Sequence, residues 1–275
     1  MNRALTSIAI AVASIFTMQA QEVKYSVEAT GTFASENTPP TWHLSNRQGL
    51  SGVEAGFTYL RTGLAGGCKL GNKGFSLNWA TDIVAGEGLT STIFIQQAYA
   101  DINWKMFTLS AGQKERYGEL KNSRLSTGAL VESGNARPIP QIRLEVPEYY
   151  DFFATNDWFK IRGHIAYGWF SDGEWQEDWV AEGKGHTSGV RYHSKAIFFK
   201  VGKESKIPLS FECGLQMTTQ FGGASYNVEN IEGVNKKNPS RIKDYFKALI
   251  PSSGDSQYSG IDQTNIAGNH LGSWH

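Results

Sequence analysis

Long runs in which apolar and polar residues alternate are the feature that most constrains this fold. In WFKIRGHIAYGWF (158–170), apolar or aromatic residues occupy the odd positions apart from Gly163, whereas Lys160, Arg162 and His164 occupy even ones. Successive side chains of a strand point to opposite faces, so the run predicts a strand with one apolar and one largely polar face. Similar runs, some of them weaker, lie at 23–33, 53–65, 73–84, 93–104, 106–114, 190–202 and 209–221, with a short strand predicted at 42–48.

The length of these runs favours a membrane barrel over a soluble sheet. Several reach ten residues or more, whereas the usual strand has about 5 to 6 residues and a tilted membrane strand about 9 to 11. Aromatic residues lie near the strand ends, and very short connections alternate with long ones. We therefore predict an all-β, antiparallel outer-membrane β-barrel with lipid outside and polar residues inside. The alternative is a soluble β-sandwich or jelly roll whose apolar face packs on a core.

Composition narrows the choice of partners. Lys plus Arg and Asp plus Glu number 26 each, so the net charge is zero and no global field attracts nucleic acid. A mean hydropathy of −0.36 excludes a helical membrane protein but not a barrel, whose strands are only half apolar. We expect outer-membrane lipid to surround the protein and no nucleic acid to bind it.

The N-terminus has the features of an export signal. Arg3 supplies a basic start, an apolar run follows from Leu5 to Met18, and Ala20 gives a small residue before a cleavage point. We predict a signal peptide at 1–20 and one domain at 21–275. For such an exported chain Cys68 and Cys213 permit a disulfide, but inert packed thiols fit their spacing better.

Two long connections interrupt the alternating runs, at 115–157 and 222–264. Long structureless loops are rare in compact domains, so we expect both to be folded or functional. Prolines make RPIPQIRLEVP extended, whereas NPSRIKDYFKALIP predicts one short helix capped by Asn238. Its predicted apolar stripe consists of Ile242, Tyr245, Phe246 and Leu249.

The chain carries no recognisable catalytic or metal-binding motif. Its six histidines are scattered, and we expect His164 on a polar barrel wall. A hydrolase or acyltransferase needs only a His, a Ser and an orienting group brought together in space, so that alternative stays open. Glu145, Glu148 and Asp151 could supply a carboxylate pair, but pairing with arginine is the simpler interpretation. We predict a non-enzymatic protein without cofactor or metal.

Polar and aromatic residues in the long connections are the best binding candidates. Arg, amide and aromatic side chains suit acidic sugars and sugar rings. The competing interpretation is that the charged residues form salt bridges inside the barrel and the tryptophans pack their loop. The candidate ligand-binding residues are Arg137, Gln141, Arg143, Glu145, Trp175 and Trp179.

The stretches TWHLSNRQGLSG, LSTGALVESGNARPIPQIRLEVPEYYDF, IRGHIAYGWFSDGEW and GNHLGSW resemble the capsule assembly protein Wzi family in its Bacteroidetes form. The resemblance extends from about Tyr25 to the C-terminus. It implies an outer-membrane barrel of about eighteen strands with periplasmic helical elements. It also implies lectin-like binding of capsular polysaccharide at the cell surface, without catalysis. Insertion would require the barrel assembly machinery, and we expect a monomer.

The strand count departs from that pattern. About half of the expected strands can be counted, and NHLGSWH resembles the beginning of another strand. We therefore expect an N-terminal fragment, C-terminally incomplete and forming about half of a larger barrel. A porin-like channel remains an alternative function, and an open interior rather than one filled by 115–157 would favour it.

Overall fold

The computed structural model describes most of the chain. The predicted signal peptide, Trp175 and Trp179 lie outside the described residues, and so does most of the connection between 226 and the last strand. The described residues are 22–34, 41–52, 55–118, 120–121, 125–126, 131, 134–135, 137–171, 180–181, 185–226, 236–238, 240–250 and 269–274.

Thirteen strands and two helices make up the described structure, which confirms the all-β, antiparallel prediction. The strands are β1 Glu22–Phe33, β2 Gly56–Leu70, β3 Phe75–Glu87, β4 Ile93–Trp104, β5 Phe107–Gln113, β6 Gln141–Tyr150, β7 Phe159–Trp169, β8 His186–Ser188, β9 Arg191–Val201, β10 Phe211–Phe221, β11 Ala224–Tyr226, β12 Lys236–Lys237 and β13 Asn269–Trp274. The helices are α1 Thr41–Leu44 and α2 Ile242–Leu249. No helix among the described residues is long and apolar enough to cross a membrane.

Ten of the strands form one meandering sheet in the order β1-β2-β3-β4-β5-β6-β7-β9-β10-β13. Every neighbouring pair is antiparallel, so the connections alternate between two ends of the sheet. Short turns at 71–74, 105–106, 151–158 and 202–210 lie at one end, the short-turn end. The opposite end, the long-loop end, carries the longest connections, the five-residue turn 88–92 and the small sheet β12-β11-β8.

The two faces of the large sheet have opposite polarity and burial. The inner face buries polar side chains, such as Asp82, Ser110 and Gln216, and these are at most 7% exposed. The outer face exposes apolar ones in the middle of the strands, including Leu144 at 46% and Ile197 at 43%. A soluble sheet would bury the apolar face, so burial is inverted relative to that arrangement.

A β-bulge concentrates polar side chains on the inner face of β4. The register with β3 shifts between Asp82 and Ile83, so that Asp82 pairs with Gln97 while Ile83 pairs with Ile95. The extra residue is Gln96, whose side chain is fully buried. A bulge re-aims the side chains beside it, which here adds an amide to the polar interior.

The prediction that 115–157 is folded and that its proline-rich part is extended is confirmed at β6, whereas the prediction of a strand at 42–48 is wrong. The stretch 115–157 contains a full strand, β6, and its Pro147 coincides with a register shift between Val146 and Tyr150. Proline has no N–H to donate to the strand ladder, so it interrupts the pairing of β6. Because proline is unusual inside strands, its presence argued against a strand in the sequence. The predicted short strand at 42–48 is instead α1 followed by turns, with positive φ at Asn46 and Gln48.

The predicted helix is confirmed as α2, with a later start. It begins after Arg241 rather than at the predicted Asn238 cap, and Asp244 accepts a hydrogen bond from the Arg241 N–H at 2.8 Å. The helix packs on the outer face of β9 and β10. The four residues of the predicted apolar stripe do not share one environment. Tyr245 and Leu249 are partly buried against the sheet, whereas Ile242 and Phe246 are exposed.

A small apolar core closes the long-loop end of the inner face. Leu50, Phe57, Tyr59, Val84 and Phe94 are buried together, and Leu89 packs against them. The turn that contains Leu50 is tied to the distant segment before β6, because the Gln48 N–H donates to the Gly134 carbonyl at 2.7 Å.

Candidate functional site

A network of carboxylates around one arginine occupies the inner face of β2, β3 and β4. The Arg61 guanidinium donates to both Asp82 and Glu115, the latter at 3.2 Å. Glu28, opposite Arg61 on β1, lies 3.9 Å away and accepts a 2.5 Å hydrogen bond from the Tyr59 hydroxyl. We call Glu28, Arg61, Asp82 and Glu115 the carboxylate network.

Two amides from the β4 bulge hold this network in place. Gln96 donates to Glu115 at 2.8 Å, and Gln97 donates to Asp82 at 2.8 Å. Gln97 also accepts the Glu115 backbone N–H at 2.9 Å. These contacts fold the chain after β5 inward across the inner face, where it fills space between the strands.

A lysine beside Glu115 is also neutralised by a carboxylate. The Lys114 ammonium lies 2.5 Å from Asp101 and 4.7 Å from the centre of the Tyr99 ring. Asp101 is 5% exposed, so this ion pair is largely removed from water. A buried charge needs such a partner, which assigns Lys114 a structural role.

Three predicted binding residues form a row on the inner face of β6. Gln141, Arg143 and Glu145 are separated by two positions each, and the first two are buried. The Arg143 Nε donates to Glu145 at 2.5 Å, so these two side chains form an ion pair. The competing interpretation of the sequence, an interior salt bridge, therefore describes Arg143 and Glu145.

Arg137 lies apart from that row, at the long-loop end. Its Nη2 donates to the hydroxyls of Thr90 at 2.9 Å and Ser91 at 3.2 Å, and its guanidinium lies 4.4 Å from the centre of the Phe94 ring. No carboxylate among the described residues forms an ion pair with it. Burial lowers the pKa of the Arg137 guanidinium from its ordinary value, yet arginine stays charged at neutral pH. We call Arg137, Thr90, Ser91 and Phe94 the Arg137 site.

Two cavities open on the inner face. One of about 250 Å³ has four cationic side chains in its wall, Lys114, Arg116, Arg143 and Arg162, together with the acids Glu115 and Glu145. The other, about 730 Å³, lies nearer the short-turn end and includes Lys24, Lys69, Ser76, Asn78 and Tyr99 in its wall. Its volume falls within the range of roughly 300 to 1,000 Å³ that is usual for ligand pockets.

A histidine and a serine meet on the polar face, as an outer-membrane hydrolase would require. His164 Nε2 lies 2.8 Å from Ser194 Oγ, but His164 is 7% exposed and Ser194 is fully buried. A nucleophile must reach its substrate, and the packing covers this hydroxyl. The pair therefore lacks the access that acyl transfer needs.

The other predicted carboxylates lie at the short-turn end. Asp151 accepts the backbone N–H groups of Asp157 and Thr155, each at 2.9 Å. These two hydrogen bonds lower the pKa of the Asp151 carboxyl. Asp151 thus caps a turn, and Glu148 is exposed on the last part of β6.

The thiols and potential metal ligands remain dispersed. Cys68 and Cys213 are free and partly buried. Within the described ranges, no group of three or more His, Cys, Asp and Glu side chains could hold a metal ion.

The sequence interpretation missed the main polar interactions. Arg61, Lys114 and Arg116 are not among the candidates from the sequence, although the alternation in 73–84 and 93–104 places Asp82 and Asp101 among the polar positions. The alternation predicts on which face of the sheet a side chain lies, but it does not predict which residue forms an ion pair with it. The partners depend on register between strands and on the inward path of 114–118.

No family model matches the chain, and a search of curated proteins finds no match.

Proposed function

We propose that this chain forms the wall of an outer-membrane β-barrel that binds capsular polysaccharide at the cell surface without converting it. The inverted polarity of the two sheet faces carries this proposal. The resemblance to the Wzi family adds the ligand class, and the Arg137 site adds a group suited to it.

The exposed outer face supports a lipid environment. Apolar side chains such as Leu64, Leu144 and Ile197 lie exposed in the middle of strands, where water contact is unfavourable. The strands are long enough, with 15 residues in β2 and 11 in β7 against the roughly 9 to 11 that a tilted span needs. Lipid would cover these side chains while the polar face remains inside.

The sheet edges support a larger barrel. Among the described strands, β1 and β13 each pair with one neighbour only. Unpaired backbone groups are not tolerated in lipid, so further strands would have to close the wall. This agrees with the expectation that the ten strands are part of a larger barrel.

The filled interior supports binding rather than flow. Gln48 donates to the Arg116 carbonyl at 2.8 Å, and Glu115 is held by Arg61 and Gln96, so segment 114–118 is fixed against the inner face. A porin-like channel requires an open path, and this inward segment narrows it. Retention of a ligand at the long-loop end fits the geometry better.

The Arg137 site supports recognition of an acidic sugar. Hydroxyl groups and an aromatic ring orient its guanidinium, and no carboxylate among the described residues neutralises it. A planar guanidinium can donate two parallel hydrogen bonds to a carboxylate. The site lies at the long-loop end, which faces the cell surface in outer-membrane barrels.

The membrane part of the proposal is tested by Leu144→Arg, with Leu144→Phe as the control. On a lipid face the arginine costs about 2 to 4 kcal/mol at mid-bilayer, whereas an exposed position in water tolerates it within about 0.5 kcal/mol. We expect heat-modifiable protein in the outer-membrane fraction to fall for Leu144→Arg and to persist for Leu144→Phe. Equal yields would reject the lipid-facing barrel.

The binding part is tested by Arg137→Gln in capsulated cells, with Lys206→Gln as the control at the short-turn end. We expect the Arg137 variant to reach the membrane normally while capsule is shed into the medium. The control should retain capsule, because Lys206 is exposed on the turn 202–210, at the opposite end of the strands from Arg137. Full retention by Arg137→Gln would reject the assignment of this arginine.

A further inference from the structure

The outward surface of α2 is apolar along one side. Ile242, Phe246 and Ile250, which follows the helix, are 79%, 61% and 66% exposed. Residues four apart lie on the same side of a helix, so the three form one continuous stripe. A short helix that leaves its largest apolar side chains exposed is typical of elements that lie at a membrane interface.

The remaining exposed surface of α2 is cationic. Arg241, Lys243 and Lys247 are exposed beside the apolar stripe. The one acidic residue of the helix, Asp244, is 3% exposed and accepts the Arg241 N–H. Within residues 240–250 the exposed charges are thus all positive, which complements an anionic surface.

The helix is fixed on the outer face of the large sheet, near the long-loop end. The Tyr167 hydroxyl donates to the Tyr245 carbonyl at 2.9 Å, and Lys195 donates to the Leu249 carbonyl. The rings of Phe221 and Tyr245 pack edge to face with centres 5.0 Å apart. These contacts use the inward side of α2 and leave its apolar and cationic sides outward.

The position of α2 coincides with a change in the outer face of β9. Toward the short-turn end that face carries Ile197 and Phe199, and toward the long-loop end it carries Lys195, His193 and Arg191. On β9 the helix therefore lies where apolar side chains give way to polar ones, and the neighbouring strands carry the aromatic residues Tyr167, Trp169 and Phe221 at that height. On a membrane barrel this height corresponds to the headgroup layer.

We propose that α2 is an interfacial helix that binds anionic, phosphate-bearing lipid headgroups through Lys243 and Lys247 while Ile242, Phe246 and Ile250 enter the adjoining apolar layer. This inference rests on the membrane location proposed above. Each basic residue near an anionic membrane surface strengthens attachment by about 1 kcal/mol, which corresponds to about fivefold in affinity.

The test compares lipid binding by the full chain in neutral detergent, measured by native mass spectrometry with phosphatidylglycerol and phosphatidylcholine as probes. We expect the wild type to retain phosphatidylglycerol preferentially. The double variant Lys243→Gln, Lys247→Gln should lose about tenfold or more in affinity for it. The control Arg47→Gln, Lys121→Gln removes two exposed charges elsewhere in the long-loop connections and should bind phosphatidylglycerol as the wild type does.

Unchanged phosphatidylglycerol binding in the α2 variant, or an equal loss in the control, would overturn the inference. A change of oligomeric state in Phe246→Gln with unaltered lipid binding would also overturn it and assign the helix to a protein interface. The membrane location is read separately, from heat-modifiable wild-type protein in the outer-membrane fraction. Normal insertion with no effect of the two lysines rejects only the role of α2, whereas absence of insertion rejects both proposals.

Discussion

The carboxylate network and the Arg137 site both centre on an arginine, but their partners differ. Arg61 lies among Glu28, Asp82 and Glu115, so its charge is more than balanced. Arg137 contacts two hydroxyls and a ring, and no described carboxylate pairs with it. Arg61 is therefore held by carboxylates, whereas no carboxylate among the described residues pairs with Arg137, which is why we propose Arg137 as the ligand-binding arginine.

Burial does not explain this difference, because both arginines are half-buried. Arg61 lies within the strand ladder, where its neighbours on β3 and the chain after β5 bring carboxylates to it. Arg137 precedes β6 at the long-loop end, where its neighbours are hydroxyls and a ring. The predictions below test whether partners, rather than residue type, decide the role of each charge.

The largest effect is expected from Asp82→Asn. Asp82 accepts hydrogen bonds from Arg61 and Gln97 and is 7% exposed, so its neutralisation leaves Arg61 with two carboxylate partners instead of three. Hydrogen bonds to charged groups contribute about 1.5 to 3 kcal/mol, and we expect a loss of that order. Urea unfolding of the purified full chain, followed by heat modifiability, measures this loss.

The matched control for that variant is Asp157→Asn. Asp157 forms an exposed pair with Lys160 at 3.1 Å, and asparagine tolerates its positive φ of 69°. An exposed pair contributes about 0 to 1 kcal/mol. Similar losses in the free energy of unfolding for Asp82→Asn and Asp157→Asn would show that the carboxylate network stabilises the fold no more than an exposed ion pair does.

A double-mutant cycle on Arg143 and Glu145 should give the next largest effect. The single changes Arg143→Gln and Glu145→Gln each leave one charge without its 2.5 Å partner, whereas the double change removes both. We expect a coupling free energy of about 0.5 to 3 kcal/mol in urea unfolding. A coupling near zero would reopen Arg143 as a binding residue.

Salt should separate the Arg137 site from the carboxylate network. The Debye length falls from about 10 Å at 0.1 M to about 3 Å at 1 M, and buried pairs are screened less than accessible ones. Binding of purified acidic capsule should weaken with salt in the wild type and change less in Arg137→Gln. Identical salt dependence in both proteins would contradict the role of Arg137.

The smallest effect is expected from acid at the short-turn end. Hydrogen bonds from the N–H groups of Asp157 and Thr155 lower the folded-state pKa of Asp151. The stabilisation is present above the unfolded-state pKa of about 3.9 and disappears as the pH falls through the lower folded-state value. The stability difference between wild type and Asp151→Asn should therefore narrow below about pH 4. A constant difference would indicate that ionisation of Asp151 is irrelevant.

Local pattern predicted most strands but misjudged the connections. Alternation located β7 and β10 to within about two residues, because each face repeats along the chain every two residues. It failed at β6, where Pro147 breaks the pattern, and at α1, where a few residues carry too little periodicity to separate helix from strand. Of the six predicted binding residues, Arg137 remains a binding candidate, and Arg143 and Glu145 pair with each other.

The sequence by itself determined the antiparallel strand pattern, the polarity of each strand face and the amphipathic character of α2, because these depend on residues close together in the chain. Only the tertiary structure decided that the apolar face is the exposed one and that Arg61 meets Glu115, 54 positions away. It also decided that Arg137 and Arg143 do not share a site. Such pairings depend on strand register and on the inward path of 114–118, which local periodicity does not specify.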